Sequence, residues 1–242
     1  MKLLRKLGIS LLPFPLMGLV LLAAPLGPVW GPPGSIVLSC LAFLAWRLLS
    51  HRQGIAGPRL GSPFGLLLGV GIGAILTICS VIAMGIVAGY PLEFHPPSRF
   101  MLLYWPAQQV RAACLEETFV RGGTVHFLAS FFGPAWGYLG GSVPFALLHF
   151  CNGWFSWKYL VCITSAGLML SAVYFEYGLL AAIGVHYAWN ALSCLWIDML
   201  NWPVVGRWAL EGEWTTMFVM LIATLAIVMV SLRKSRNGEH AQ

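Results

Sequence analysis

The sequence predicts an all-α membrane protein, a polytopic bundle of about eight transmembrane helices with its functional site in the bundle interior. Of the 242 residues, 59% are hydrophobic and only 9% are charged, whereas an ordinary soluble domain is about 25% charged. Apolar runs also recur from end to end of the chain, and a helix needs about 20 such residues to cross a bilayer. We therefore expect one integral membrane domain, residues 1–242, with no separate soluble domain.

Eight apolar segments are candidates for the membrane-spanning helices. The first follows the basic sequence MKLLRKLG. Because no clean small-x-small cleavage site comes after it, we expect a retained anchor rather than a signal peptide. The predicted spans are residues 8–26, 34–50, 63–90, 106–131, 135–152, 156–176, 178–200 and 214–232.

The positions of lysine and arginine predict how these spans are oriented. Basic residues are enriched at the cytoplasmic ends of membrane spans, and eight spans put all three basic clusters of this chain on one side. Both termini are therefore predicted to be cytoplasmic, in the plasma (inner) membrane if the protein is bacterial. Because these residues stand at segment ends, the net charge of +6 indicates membrane topology, and we expect membrane lipid but no nucleic acid as a partner. The clusters are Lys2, Arg5 and Lys6, then Arg47, Arg52 and Arg59, and finally Arg233, Lys234 and Arg236.

Smaller features refine this outline. Two outward connections, residues 91–105 and 201–214, are rich in aromatic residues and are predicted to lie along the membrane interface. Pro106 is suited to the first turn of a helix and is predicted to begin the fourth span. Small residues recur every four positions in the third span, which predicts close packing against another helix. They are Gly65, Gly69 and Gly73.

The segment ACLEETFVRGG (residues 113–123) places three charged residues inside an apolar span. A lone charge at mid-bilayer depth costs about 2.5–3.5 kcal/mol on insertion scales, so each charge needs a partner. Glu117 and Arg121 are four residues apart and can pair on one helix face. Glu116 lies about 100° around the helix from Glu117, so it needs a different partner or an aqueous cavity. A structural ion network would be the plainer interpretation, but adjacent buried acids are a costly way to pack helices.

Two later spans supply polar partners at a similar depth. The sequence PFALLHF carries Phe145 and His149, and GVHYAWNAL carries His186 and Asn190 one turn apart on one face. Counting about 1.5 Å per residue from the span ends puts Glu116 and His186 near mid-depth, with His149 somewhat nearer the outer side. Phe145 is expected to pack beneath His149. Three helices can thus present an acid, two imidazoles and an amide to one point, and such intramembrane groups indicate function.

Taken in order, these motifs resemble those of the CPBP family, the CAAX-protease and bacteriocin-processing intramembrane endopeptidases. The resemblance covers about residues 106–195, the expected catalytic core. One departure is visible, because the family usually follows its arginine with glycine and a bulky apolar residue, whereas this chain has RGGT. The motifs are Glu116-Glu117-x-x-x-Arg121, Phe145-x-x-x-His149 and His186-x-x-x-Asn190.

The resemblance implies a glutamate-type protease that needs no cofactor. In such an enzyme Glu116 and His149 would orient and deprotonate a water molecule. His186 and Asn190 would donate hydrogen bonds to the oxyanion of the tetrahedral intermediate. Donors aimed at a developing oxyanion are worth several kcal/mol in a site that excludes water.

The remaining two motif residues are expected to support this chemistry. Glu117 and Arg121 would form the pair that holds the helix and biases the charge of Glu116. The implied substrate is a membrane-associated protein or peptide, with or without an attached lipid.

Three alternatives use the same residues differently. A zinc-dependent membrane protease would bind the metal through His149, His186 and a glutamate, a ligand set that suits zinc. However, the sequence has no HExxH motif, and the ligands would come from three helices. A proton-coupled transporter would use the acids as a relay, but no internal repeat is visible. A peptide-binding scaffold would keep the fold without the reaction.

Overall fold

The computed structural model describes residues 2–23, 31–88, 95–149, 156–199 and 213–236. In these residues the chain forms helices joined by short connections, and they contain no β-strand, so the predicted all-α class is confirmed. A π-helical segment, Val120–Val125, joins the fifth and sixth α-helices without a break. The α-helices are α1 Lys2–Leu11, α2 Pro13–Ala23, α3 Pro32–Arg52, α4 Pro63–Ala88, α5 Arg99–Phe119, α6 His126–Phe132, α7 Pro134–Leu148, α8 Trp157–Tyr177, α9 Leu179–Met199 and α10 Glu213–Arg236.

Within the described residues, each predicted span coincides with one helix or with consecutive helical segments. Among the described residues, five stretches are long and apolar enough to cross a membrane. Large apolar side chains on these helices face outward, as Ile86 and Leu103 do with 77% and 76% exposure, which suits hydrocarbon rather than water. The helices thus form a multi-pass membrane bundle with between five and eight spans. The five stretches are Lys2–Val20, Pro32–Arg52, Pro63–Val87, Trp157–Tyr177 and Leu179–Trp196.

The start of α5 differs from the prediction. The helix begins at Arg99 rather than near Pro106, and the Ser98 hydroxyl accepts a hydrogen bond from the Met101 backbone N–H. A serine cap of this kind satisfies one of the free donors at a helix start. Pro106 therefore lies in the helix interior, where it has no N–H to donate to the carbonyl four residues back. Placing Pro106 in the first turn was wrong because the cap, Ser98, lies about two turns earlier.

The two predicted interfacial connections are only partly described. Residues 99–105 belong to α5 rather than to a connection, and the rings of Phe100 and Tyr104 stack at a centroid distance of 5.3 Å. Residues 91–94 and 201–212 lie outside the described part of the chain.

Helix α4 packs closely against α9 through its glycines, as the sequence predicted. A Cβ atom at Gly69 would clash with the Ala181 carbonyl oxygen, and one at Gly73 would lie 2.5 Å from the Val185 carbonyl oxygen. From the other side, a Cβ at Gly184 would meet the α4 backbone. Only glycine allows backbones to approach this closely. This contact fixes the position of α9 in the bundle.

The connection between α3 and α4 also holds the start of α9. The carbonyl oxygens of Arg59 and Leu60 accept hydrogen bonds from the backbone N–H groups of Leu179 and Leu180, both at 2.9 Å. The first N–H groups of a helix have no partner within the helix, so these bonds satisfy two of them. Helix α9, which carries His186, is therefore fixed both at its end and along its side.

Helix α2 packs against the π-helical segment that follows the charged residues. A Cβ atom at Gly123 would lie 2.5 Å from the Pro13 ring and 3.4 Å from the Trp46 ring. Met17 of α2 is 1% exposed and belongs to the hydrophobic core. The N-terminal helix pair therefore contributes to the packing around the polar interior.

Candidate active site

Four of the polar residues predicted from the sequence line one cavity of about 380 Å³. Helix α5 supplies the carboxylate, the end of α7 supplies one imidazole, and α9 supplies the second imidazole and the amide. Side chains of α8 and α10 complete the wall. The four residues are Glu116, His149, His186 and Asn190.

Glu117 lies beside this cavity and is completely buried. Its Oε1 accepts hydrogen bonds from Arg121 Nη1 at 2.9 Å and from His186 Nδ1 at 2.7 Å. The predicted pairing of Glu117 with Arg121 is present. The contact with His186 was not predicted, because the two residues are 69 positions apart and only the packing of α5 on α9 brings them together. Glu117 therefore orients one of the two cavity histidines.

Arg121 is also completely buried, and several groups compensate its charge. Besides the ion pair with Glu117, Nη2 donates a hydrogen bond to the Gly167 carbonyl oxygen at 3.2 Å. The guanidinium lies over the Phe145 ring, 4.3 Å from its centroid, which is a favourable cation–π geometry. A buried charge of this kind is stable only when partners on several sides replace water.

Glu116 differs from its neighbour because its carboxylate faces the cavity. The side chain is 20% exposed, and Oε2 lies 3.9 Å from His186 Nε2. Among the described residues this oxygen has no hydrogen-bond partner. A carboxylate that lines a cavity beside an imidazole nitrogen can accept a proton from a molecule bound there.

The hydrogen bond of His149 determines which ring nitrogen carries a hydrogen. Its Nδ1 lies 2.9 Å from the carbonyl oxygen of Phe145. A carbonyl only accepts, so Nδ1 carries a hydrogen, and Nε2 is the nitrogen that can offer a lone pair. The ring of Phe145 packs edge-on against both imidazoles, with centroid distances of 4.8 Å to His149 and 6.2 Å to His186. The prediction that Phe145 packs beneath His149 is confirmed, and the same ring also contacts the second histidine.

The comparison with protein families supports the site. Residues 98–192 match the family model described as type II CAAX prenyl endopeptidase Rce1-like. This segment contains all four cavity residues predicted from the sequence. Over this segment the match confirms the predicted resemblance to the CPBP family. No curated protein matched the chain, and no solved structure did.

The chain is therefore an intramembrane protease, a hydrolase that acts on protein or peptide substrates in a membrane environment. The departure RGGT from the usual CPBP pattern has a structural reason in this chain. The second glycine, Gly123, faces Pro13 and Trp46 at distances that leave no room for a larger side chain. A bulky apolar residue at this position would displace α2.

The sequence analysis did not predict several of the residues that line the cavity. Gln109 lies seven residues before Glu116, two turns away on the same face of α5, so its helical spacing could have indicated it. Tyr159 and Ser193 also line the cavity, but a single tyrosine or serine near the end of an apolar helix carries no signal of its own. His126 lies outside the cavity, with its Nε2 3.0 Å from the Ser50 hydroxyl.

Among the described side chains, no group of three or more histidine, cysteine, aspartate or glutamate residues is arranged to hold a metal ion. In the described cavity one histidine is directed by Glu117 and the other by a backbone carbonyl. The cavity is therefore lined by a carboxylate, an imidazole lone pair and hydrogen-bond donors.

Proposed function

We propose that this protease hydrolyses a peptide bond of a membrane-associated protein or peptide, lipidated or not, by a glutamate-type mechanism. The observation that carries the proposal is the shared cavity, where Glu116, His149, His186 and Asn190 meet from three helices. The catalytic core would be residues 106–195. The reaction needs a base for water and donors for the oxyanion, and the cavity supports both roles.

Glu116 is the proposed base, with His149 as its partner. The Glu116 side chain lines the cavity, and its Oε2 lies 3.9 Å from His186 Nε2 without a hydrogen-bond partner among the described residues. The Nε2 lone pair of His149 can accept a hydrogen bond from the same water molecule, because Nδ1 already donates to the Phe145 carbonyl. A water held between two acceptors is oriented for attack, and Glu116 takes its proton as the bond to the peptide carbonyl carbon forms.

His186 and Asn190 are the proposed oxyanion donors. The site contains two carboxylates, Glu116 and Glu117, and one guanidinium, Arg121, so a doubly protonated His186 would balance its charge. Its Nδ1–H then donates to Glu117, and its Nε2–H is available toward the Glu116 side of the cavity. Asn190 lies one turn further along α9 and lines the same cavity. Two N–H donors on one helix face suit a single developing oxyanion.

Glu117 and Arg121 are proposed as positioning residues, which would not touch the substrate. Both are completely buried. Glu117 fixes the ring of His186 by the 2.7 Å hydrogen bond. Arg121 anchors Glu117 and the Phe145 ring together. Through these contacts the pair sets the orientation of the groups that do face the cavity.

The test compares the protein termini in membranes that contain the wild type, Glu116→Gln or Glu176→Gln. We expect the wild type to create new termini in membrane proteins, detected by terminal proteomics, and we expect Glu116→Gln to create none. Glu176 does not line the cavity, so Glu176→Gln is a matched control that should retain the new termini.

Two results would contradict the proposal. If a folded Glu116→Gln variant produced the same termini as the wild type, Glu116 would not be the base. If membranes containing the wild type showed no new protein termini compared with membranes without the protein, the chain would not cleave proteins of that membrane.

A further inference from the structure

We propose that Gln109 binds the backbone of the substrate and holds one peptide group about three residues from the bond that is cleaved. Gln109 is then a specificity-determining residue, two helical turns from Glu116 in the same cavity. This role rests on the proposed function, because it takes the substrate to be a peptide. It does not depend on which group activates the water.

Two contacts show how α5 and α9 face each other beside the cavity. The first is the hydrogen bond from His186 Nδ1 to Glu117 Oε1. In the second, Gln109 Nε2 donates to Cys194 Sγ at 3.6 Å. The second contact lies eight residues earlier on α5 and eight residues later on α9. The two helices therefore run antiparallel and side by side between these points.

Both helices line the cavity along this stretch. Glu116 and Gln109 lie two turns apart on one face of α5, which corresponds to about 10 Å along the helix axis. On α9, His186 and Cys194 line the cavity as well. An extended peptide rises about 3.3 Å per residue. When such a peptide follows the two helices, about three residues separate a bond held at Glu116 from a peptide group beside Gln109.

Much of the cavity wall offers a peptide no hydrogen-bond partner. Apolar side chains such as Ile163, Leu170 and Val185 contribute to it. Each residue of an extended substrate brings an N–H and a C=O, and these groups are costly to bury unpaired. The side-chain amide of glutamine has a carbonyl acceptor and an NH₂ donor, so it can pair with both groups. Gln109 therefore suits one peptide group of the substrate.

The present partner of Gln109 is easily replaced. The side chain is partly buried in the cavity wall, and its described hydrogen bond goes to the Cys194 thiol. Sulfur is a weak acceptor, so a substrate carbonyl can take its place. The neighbouring Gln108 is exposed and is not among the described residues that line the cavity. The two adjacent glutamines thus form a matched pair for an experiment.

The test combines substitutions in the protein with substitutions in the substrate backbone. The probe is a quenched fluorescent peptide whose sequence surrounds a cleavage site found by the terminal proteomics. In a series of such peptides, each amide bond in turn is replaced by an ester, which removes one N–H donor. The kcat and KM values are measured for the wild type, for Gln109→Met and for the control Gln108→Met.

For the peptide without an ester, we expect Gln109→Met to raise KM about tenfold, the effect of one lost hydrogen bond. The kcat value should stay near that of the wild type, because a contact remote from the reacting bond stabilises substrate and transition state equally. One ester peptide, altered about three residues from the scissile bond, should have a raised KM with the wild type and no further rise with Gln109→Met. Gln108→Met should behave as the wild type throughout.

A purely structural role for Gln109 would lower the thermal unfolding midpoint and raise KM equally for every peptide of the series. That result would overturn the proposal, and so would a wild-type KM for Gln109→Met. If Gln109→Met does not fold, the ester series with the wild type still decides, because the absence of any sensitive position would also overturn it.

Binding of the same peptides to the Glu116→Gln chain separates this inference from the proposed function. The sensitive ester peptide should bind about tenfold more weakly than the unmodified peptide to this chain as well, although hydrolysis has stopped. Normal hydrolysis by Glu116→Gln would reject the proposed base and leave the role of Gln109 standing. Equal binding of all peptides to Glu116→Gln would reject the role of Gln109 and leave the base standing.

Discussion

The two adjacent glutamates provide a sharp test, because the same isosteric change should act differently at each. Glu117→Gln removes the charge that faces Arg121 at 2.9 Å and His186 at 2.7 Å in a site with no exposure. Removing one partner of a buried ion pair costs about 3–5 kcal/mol, because the other charge stays buried without compensation. We therefore expect Glu117→Gln to lower the free energy of unfolding by about that amount.

Glu116→Gln should have little effect on stability. Its Oε2 has no hydrogen-bond partner among the described residues, and His186 Nε2 is 3.9 Å away. An ion pair of that length on a partly exposed group is worth about 0–1 kcal/mol. Loss of the base should still lower the hydrolysis rate by about 10²–10⁴-fold.

The assay measures both quantities on the same purified samples. Unfolding is followed by titration with a denaturing detergent in mixed micelles, and hydrolysis is followed with a quenched fluorescent peptide. We expect Glu117→Gln to lose stability and activity together, and Glu116→Gln to lose activity alone. Equal losses of stability in the two variants would refute the assignment of one glutamate to the packed interior and the other to the cavity.

Three further predictions follow from the described contacts. Gly69→Ala should lower the free energy of unfolding by about 1–3 kcal/mol through overpacking, because its Cβ would clash with the Ala181 carbonyl oxygen. Gly71→Ala is the control in the same helix, since a Cβ there meets nothing within 4 Å; a stability loss at Gly71 equal to that at Gly69 would contradict the close packing of α4 and α9. His149→Ala should reduce hydrolysis about 10²–10⁴-fold, as for a general acid–base group, while the thermal unfolding midpoint stays near that of the wild type; a variant with near-normal kcat would remove His149 from the mechanism. Treatment with a zinc chelator should leave the hydrolysis rate unchanged, and stoichiometric zinc in the purified protein whose removal abolishes cleavage would support the metalloprotease alternative.

Much of the fold was accessible from the sequence, because the bilayer limits what an apolar segment can do. A run of about 20 apolar residues has to form a helix to satisfy its backbone hydrogen bonds, and within the described residues every predicted span coincides with helical structure. The error at Pro106 shows where this reasoning fails. Proline suits a first turn but is also tolerated inside a membrane helix, so the serine cap at Ser98, not the proline, decided where α5 begins.

The sequence also predicted four residues that line one cavity, since charged and polar groups in an apolar span need a reason to be there. Helical spacing correctly paired Glu117 with Arg121 and placed Phe145 under His149. Gly69 and Gly73 predicted a close helix contact, although the sequence did not identify α9 as the partner helix.

Only the tertiary structure decided how the two glutamates divide their contacts. The spacing of residues along one helix predicts the direction in which a side chain points. It does not predict which residue of another helix lies opposite that side chain. The bond from His186 to Glu117 joins residues 69 positions apart, and it depends on the glycine contact that draws α9 against α4 and on the packing of α9 beside α5. Which carboxylate is enclosed and which faces the cavity is therefore a property of the assembled bundle, because long-range packing sets the surroundings of each charge.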